Sequence, residues 1–349
     1  MPFIFRPCLI TLGLGLYALS SCHAPLSRSI PQSSATPIPS DTVNSTLQNI
    51  WNSKLLITKV NSKTNKIQSY SQQSDYRDEN QNGIQDPSDA GFFNPASTVK
   101  IAIAALALEQ LQQQGFDRMA EYRTVGGSWY TFADDIARSV VISDNDSTNR
   151  LMLWLGFDRI HQHLQAKGLN QIAINRLMLD RGTLTPSPAF EMRANGKVTT
   201  QPAQAVTIKP SCYETEQRIG NCATAADLIG VLRRIVQPQA FTESEQFQLR
   251  DRDWLQTILS QTPRQAGFDY ADDYCRFLTP LQQQLKPTRL LSKCGVALFS
   301  NTYVDTSVIE TADQIYFIVL AVTPPRSIPE RQIFNTMNEI VSSSLSRLP

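Results

Sequence analysis

The sequence predicts an α+β domain in which the two ends of the chain build one sheet and the middle builds a helical lobe. Three observations carry this. Strand-like runs are confined to residues 55–70 and 295–322. Between them, from Ser97 to about Leu259, the pattern is mostly helical. At 349 residues the chain can bury a full-sized core, either as one large domain or as a domain split into two lobes.

The elements follow in order. Arg6 supplies a short positive segment, and Leu9 to Leu19 an apolar run too short, with those flanks, to span a membrane. Leu19-Ser20-Ser21-Cys22 resembles a bacterial lipobox, in which cleavage before the cysteine leaves Cys22 carrying lipid. The alternative is an ordinary secretory signal with an incidental cysteine. Residues 1–21 are thus expected to be a lipoprotein signal peptide. Residues 22–46 are rich in Ser, Thr and Pro, a composition that cannot bury a core, and read as a tether. Residues 47–349 form the domain, with a sheet lobe at 47–96 and 285–349 and a helical lobe at 97–284. No later stretch is long and apolar enough to cross a bilayer, so the domain is expected to be exported and lipid-anchored, on the periplasmic or extracytoplasmic side.

Asp41 to Ser53 can form a helix capped by Ser40 or Asp41. Residues 55–60 and 67–70 flank the polar turn Asn61 to Asn65 and read as a hairpin. Helices are expected at 97–114, 131–142, 147–155, 157–168, 224–236 and 245–260. Gly295 to Phe299, Thr302 to Ile309 and Gln314 to Val322 supply three more strands. Ile315 to Leu320 is nearly continuously apolar, as in a strand covered on both faces. Ser327 to Leu348 closes the chain as an amphipathic helix with Pro329 in its first turn.

Composition narrows the function. Formal net charge is +1 and no basic run appears, which argues against a nucleic-acid partner. Beyond Cys8 and Cys22, four cysteines remain: Cys212, Cys222, Cys275 and Cys294. An even number in an exported protein suggests two disulfides with three possible connectivities, and 212–222 with 275–294 closes the shortest loops. Buried free thiols are the alternative. No Cys/His cluster has zinc spacing, and His161 and His163, two apart on a helix, point to different sides. Asp78, Asn80, Asn82, Asp86 and Asp89 fall at calcium-loop positions 1, 3, 5, 9 and 12 with Gly83 at 6, but Gln85 replaces the usual apolar residue. A solvated acidic loop is the plainer reading, and neither a catalytic metal nor a cofactor is expected.

The chemistry concentrates in three short motifs. Ser97-Thr98-Val99-Lys100 opens a strongly apolar helical run, so serine and lysine lie one turn apart on one face. There the amine can take the serine's proton, and the helix N-terminus favours the resulting charge. Alone this spacing is common, and a surface Ser and Lys would produce it too. Ser143-Asp144-Asn145 and Lys293-Cys294-Gly295 follow in order. The three together match S-x-x-K, S-D-N and, imperfectly, K-[TS]-G, the signature of serine penicillin-recognising enzymes. Ser143 to Met152 extends the match as S-D-N-x-x-x-N-x-L.

From about residue 41 to 349 the chain therefore resembles a class A β-lactamase or a close penicillin-binding relative. The resemblance implies a five-stranded antiparallel sheet flanked by helices beside an all-helical lobe. It implies Ser97 as nucleophile, Lys100 as base, Ser143 as proton relay to the leaving nitrogen, and Asn145 as the group orienting Lys100 and substrate. Lys293 would attract a substrate carboxylate from the edge strand, with Cys294 and Gly295 beside it. The N–H groups of Ser97 and Val296 would form the oxyanion hole. Two departures stand out. Cys294 replaces the hydroxyl residue that helps hold the carboxylate, and Thr183 falls where an Ω-loop glutamate would activate the deacylating water. Glu191, Glu214 and Glu216, in the long polar stretch that follows to about Cys222, are candidate substitutes. The expected activity is that of a monomeric serine hydrolase forming an acyl-enzyme with a β-lactam or related amide. The alternatives are a cell-wall D,D-peptidase or esterase, and a lipoprotein that binds peptidoglycan without turnover.

Overall fold

In a computed structural model the described residues are 52–73, 92–179, 185–208, 220–271, 274, 277–278, 281, 285–297 and 300–348. The signal and tether, the calcium-like loop, the Asp180–Thr183 segment, Cys212, Glu214, Glu216 and Cys275 lie outside them.

The apolar terminal runs do form one sheet. Strands β1 (Asn52–Asn61), β2 (Ile67–Gln73), β9 (Arg289–Ala297), β10 (Thr302–Glu310) and β11 (Gln314–Thr323) are arranged in the order β2-β1-β11-β10-β9. Every pairing is antiparallel. The central strand β11 is the near-continuous apolar run, and residues Phe317 to Val322 are all buried. Phe317, Val319 and Ala321 face the helical core together with Leu291, Val304 and Val308. Ile318, Leu320 and Val322 face Ile333, Met337 and Val341 of the closing helix.

Seven helices are described: α1 (Lys100–Gln113), α2 (Phe132–Val141), α3 (Asn145–Leu155), α4 (Phe157–Ala166), α5 (Ala225–Val236), α6 (Arg252–Ser260) and α7 (Glu330–Leu345). Local caps place three of them. Thr131, Asp144 and Thr224 each accept the N–H three residues on, at the starts of α2, α3 and α5. Helix α1 is buried from Lys100 to Leu111 and forms the pillar of the helical core.

Several expectations need correction. Asn52 and Ser53 belong to β1 rather than to a helix, because Ser53 is opposite Val322 in the sheet register. Strand β9 begins at Arg289, six residues before the predicted start, because Arg289 pairs with Glu310 across the ladder. The helix expected at 245–260 spans only 252–260. The Thr242 capping box closes a single 3-10 turn at Glu243–Glu245, and Gln248 N–H is drawn off to Glu109. The helical lobe also contains strands: β3 (Glu121–Thr124), β4 (Tyr130–Thr131), β6 (Phe190–Ala194) and β7 (Lys197–Gln201) make a second sheet, ordered β4-β3-β6-β7. Part of the presumed polar insertion is thus a hairpin, turned at Asn195-Gly196 with both residues at positive φ. The last small ladder joins β5 (Ile172–Ala173) to β8 (Cys222–Ala223). Cys222 and Cys294 are both disulfide-bonded.

Candidate active site

The three motifs converge where β9 meets the start of α1. Ser97 lies in a 3-10 turn, Ala96–Val99, whose end is sealed by the Lys100 N–H donating to the Ser97 carbonyl. The approach to this turn is pinned from two sides. Phe93 exchanges both backbone hydrogen bonds with Ala223, and Lys54 Nζ donates to the Phe92 carbonyl at 2.6 Å. Ala96 is held at φ 49°, a left-handed conformation costly for a residue with a Cβ.

The edge strand explains Gly295. A Cβ there would lie 2.5 Å from the Ser97 amide nitrogen and 2.8 Å from the Ala96 Cβ. Only glycine lets β9 press its backbone against the Ser97 turn. The Ser97 amide and the β9 backbone leading to Val296 are thereby neighbours.

Lys100 is completely buried. Its ammonium donates to the Ser143 carbonyl at 2.6 Å, to Asn145 Oδ1 at 2.8 Å and, more weakly, to Ser143 Oγ at 3.3 Å. Ser143 reaches it because its backbone is left-handed, φ 60°, at the turn between α2 and α3. Asp144 caps α3 through the Ser147 N–H at 2.7 Å. Ser-Asp-Asn thus serves at once as a turn with a helix cap and as the shell around Lys100, with α3 starting at Asn145 rather than at the expected 147. Burial lowers the Lys100 pKa to about 7, against the opposing charge of Asp144. Burial pushes the Asp144 carboxyl up, but Ser147 and the charges of Arg150 and Lys100 outweigh it and leave it below its ordinary value.

Lys293 faces the same side of the sheet as Leu291, and Thr306 is its cross-strand neighbour. It is 1% exposed and donates to the Cys294 carbonyl at 3.0 Å. Burial, and then the charge of Lys100, drive its pKa well below the lysine value, with Asp305 opposing. Two ammonium groups share one low-dielectric seam, and protonation of either disfavours protonation of the other. Cys294 alternates to the opposite face, packed with Phe277, Tyr303 and Met337 in the cluster under α7. Its sulfur is therefore turned away from the seam and offers the cleft no hydroxyl substitute. Val296 also packs its side chain on that cluster, leaving only its backbone toward the site.

Glu191, one of the three candidate substitutes for the missing glutamate, lies in β6. Its carboxylate takes the Arg123 guanidinium at 2.7 Å, across the second sheet. Sequence reasoning did not single out Asp135 or Arg150, which form an ion pair behind the Ser143–Asn145 turn with the carboxylate buried and the guanidinium half-buried. No local signal marks them, because the two residues sit on different helices fifteen positions apart. Asn149, the second asparagine of the extended match, grips the Met178 backbone at both ends, accepting its N–H at 2.7 Å and donating to its carbonyl at 3.3 Å. Among the described residues there is no group of three metal-ligating side chains, and no helix is long and apolar enough to cross a membrane.

No curated protein sequence matches the chain. Among solved structures, an ancestral Gram-negative class A β-lactamase variant bound to a nitrobenzotriazole superposes with TM-score 0.54 at 15% identity, covering 86% of this chain and 97% of that one. The class A β-lactamase of Mycobacterium abscessus gives 0.54 at 13% identity, covering 85% and 96%. The chromosome-encoded β-lactamase of Vibrio parahaemolyticus gives 0.52 at 12%, covering 84% and 93%. At such identities these likenesses establish the fold. The model of the beta-lactamase enzyme family matches residues 57–346, most of the chain, and the protein belongs to that family as a β-lactamase-like serine hydrolase.

Proposed function

We propose that Ser97 is the nucleophile of this hydrolase and that it opens a β-lactam or a related small amide. The observation that carries the reading is the buried Lys100 amine, one turn from Ser97, held by Ser143 and Asn145 with a pKa near neutrality. A neutral amine there accepts the Ser97 proton as Oγ attacks the carbonyl carbon, forming the C–O bond. The N–H groups of Ser97 and Val296 stabilise the oxyanion, a contribution of about 3 kcal/mol per donor. Collapse breaks the C–N bond, and Ser143 passes a proton to the leaving nitrogen. Water then cleaves the ester, returning Ser97 and a carboxylate product. Lys293 in its protonated form attracts the substrate carboxylate, with no help from the Cys294 side chain. The Glu191 side chain is committed to Arg123, so the group that activates the deacylating water is sought elsewhere.

The same reading extends to the setting of the enzyme. A lipid on Cys22 holds a monomer at the extracytoplasmic face of a bacterial membrane, and two disulfides, 212–222 and 275–294, brace the strands beside the site. The family match favours this hydrolase over a cell-wall peptidase, an esterase or a non-turnover binder.

The test is to incubate the purified protein with a penicillin, follow hydrolysis and take the intact mass, with Ser97→Ala as control. Hydrolysis that the control lacks supports β-lactam turnover. A lasting adduct on Ser97 supports acylation and moves the protein toward a penicillin-binding D,D-peptidase. Neither adduct nor hydrolysis would defeat the proposed substrate class.

A further inference from the structure

Behind the Ser143–Asn145 turn lies a charged cluster that the proposed chemistry does not use. Asp135 of α2 is completely buried and receives both arms of Arg150 from α3, NH2 to Oδ1 at 2.5 Å and Nε to Oδ2 at 2.9 Å. The buried Tyr122 hydroxyl donates to the same carboxylate at 2.5 Å, and the guanidinium lies 3.9 Å from the Tyr130 ring centre. The same Arg150 Nη2 that meets Oδ1 has a second acceptor, the buried Ser147 Oγ at 3.0 Å. Ser147 in turn donates its N–H to Asp144, the middle residue of the motif.

We propose that Arg150, clamped by Asp135, is a positioning residue that holds the Ser143–Asn145 turn against Lys100. This rests on the reading of Ser97 and Lys100 as the acylating pair. The path is continuous: Asp135 fixes Arg150, Arg150 fixes Ser147, and Ser147 fixes the Asp144 cap. On either side of that cap stand the Ser143 carbonyl and the Asn145 amide that receive the lysine. Ser143 needs such support because its left-handed backbone is disfavoured in isolation. A planar fork with donors fixed in one plane suits bidentate grip of a carboxylate better than a lysine, whose compact ammonium on a flexible stem lacks that fork geometry. Pairing with Asp135 also makes the clamp neutral overall, so it braces the turn without adding net charge to a seam that already holds Lys100 and Lys293. The charged groups bearing on Lys100 are Asp144 and, across the seam, Lys293. Arg150 in turn acts on Asp144.

The test compares the parent with the double variant Asp135→Leu/Arg150→Leu, which removes both charges, and with Arg150→Lys and Ser147→Ala. Two quantities are read in folded protein: the rate constant for acylation of Ser97 by a penicillin, and the titration of Lys100 by 13Cε/15Nζ NMR, assigned with Lys100→Met. In the double variant and Arg150→Lys we expect acylation about tenfold slower with the initial binding constant little changed. The Lys100 titration should move upward, toward an ordinary lysine, as the loosened turn admits water, and the acidic limb of the acylation profile should move with it. Ser147→Ala cuts only the link and should shift both quantities the same way, by less; it decides the matter if the double variant does not fold. Parent-like acylation and titration in a folded variant would overturn the proposal. If the parent itself never acylates, the substrate reading fails, yet the Lys100 titration still decides whether the clamp sets that amine.

Discussion

At the scale of single residues, Lys100 carries the strongest claim. A base must be neutral to accept a proton, so acylation should rise with pH through about 7, the value to which burial lowers this amine. Measured kcat/KM against pH should show that limb, and Lys100→Met should lose activity by roughly a thousandfold while leaving the fold intact. A limb absent from the profile would remove Lys100 from the role. Gly295 yields a second expectation. Its missing Cβ is replaced, in Gly295→Ala, by a carbon 2.5 Å from a backbone nitrogen, which no rotamer change relieves. Either β9 or the Ser97 turn has to move, at a cost of about 1–3 kcal/mol by the scale of overpacked sites. The proposed oxyanion donors, the Ser97 and Val296 N–H groups, sit on those two segments, so acylation should fall about a hundredfold. Thermal unfolding together with single-turnover acylation checks both numbers. The three motifs were legible in the sequence because their spacing is local. The need for glycine at 295 was not, because it arises from a contact between residues nearly two hundred positions apart.

At the scale of elements, the strands of the main sheet were readable from the polar turn at 61–65 and from the apolar run in β11, though not the first residues of β9. The apolar periodicity announced α2, α3 and α5, and the structure supplies their caps at Thr131, Asp144 and Thr224. What could not be read was the second sheet. Strands β3, β4, β6 and β7 are short and polar on their outer face, and β3 pairs with β6 across some seventy residues. Its inner face is the aromatic cluster of Tyr122, Phe132, Trp154 and Phe190, spread over four separate elements. Its outer face is laced by the ladder pairs Arg123–Glu191 and Arg193–Glu121. This placement decides the role of Glu191. A carboxylate that braces Arg123 in β3 is a partner within the sheet, so Glu191→Gln should change steady-state turnover by less than about twofold and lower stability by no more than about 1 kcal/mol. Accumulation of acyl-enzyme in that variant, seen by mass, would show instead that Glu191 clears the intermediate.

At the scale of the whole molecule, a net charge of +1 hides an uneven distribution, because two lysines are buried in one seam between the sheet and the helices. Both are held below the ordinary lysine value by burial. The unfolded chain therefore binds more protons than the folded one between about 7 and 10.5, the folded and ordinary values of Lys100. Where the unfolded state binds more protons, stability rises with pH. The cost of Lys100 is thus fully present below about 7 and is relieved as pH climbs through that window; burial of Lys293 acts in the same direction. The slope is on the order of 1 kcal/mol per pH unit for each lysine deprotonated. Urea unfolding at pH 7, 8 and 9 should show the gain, and Lys100→Met should flatten it by about one lysine's share. The variant should also be more stable than the parent at pH 7, so that the active site is paid for in stability. A flat profile in the parent would mean that both ammonium groups keep their protons in the fold, and Lys100 would then be no base at neutral pH.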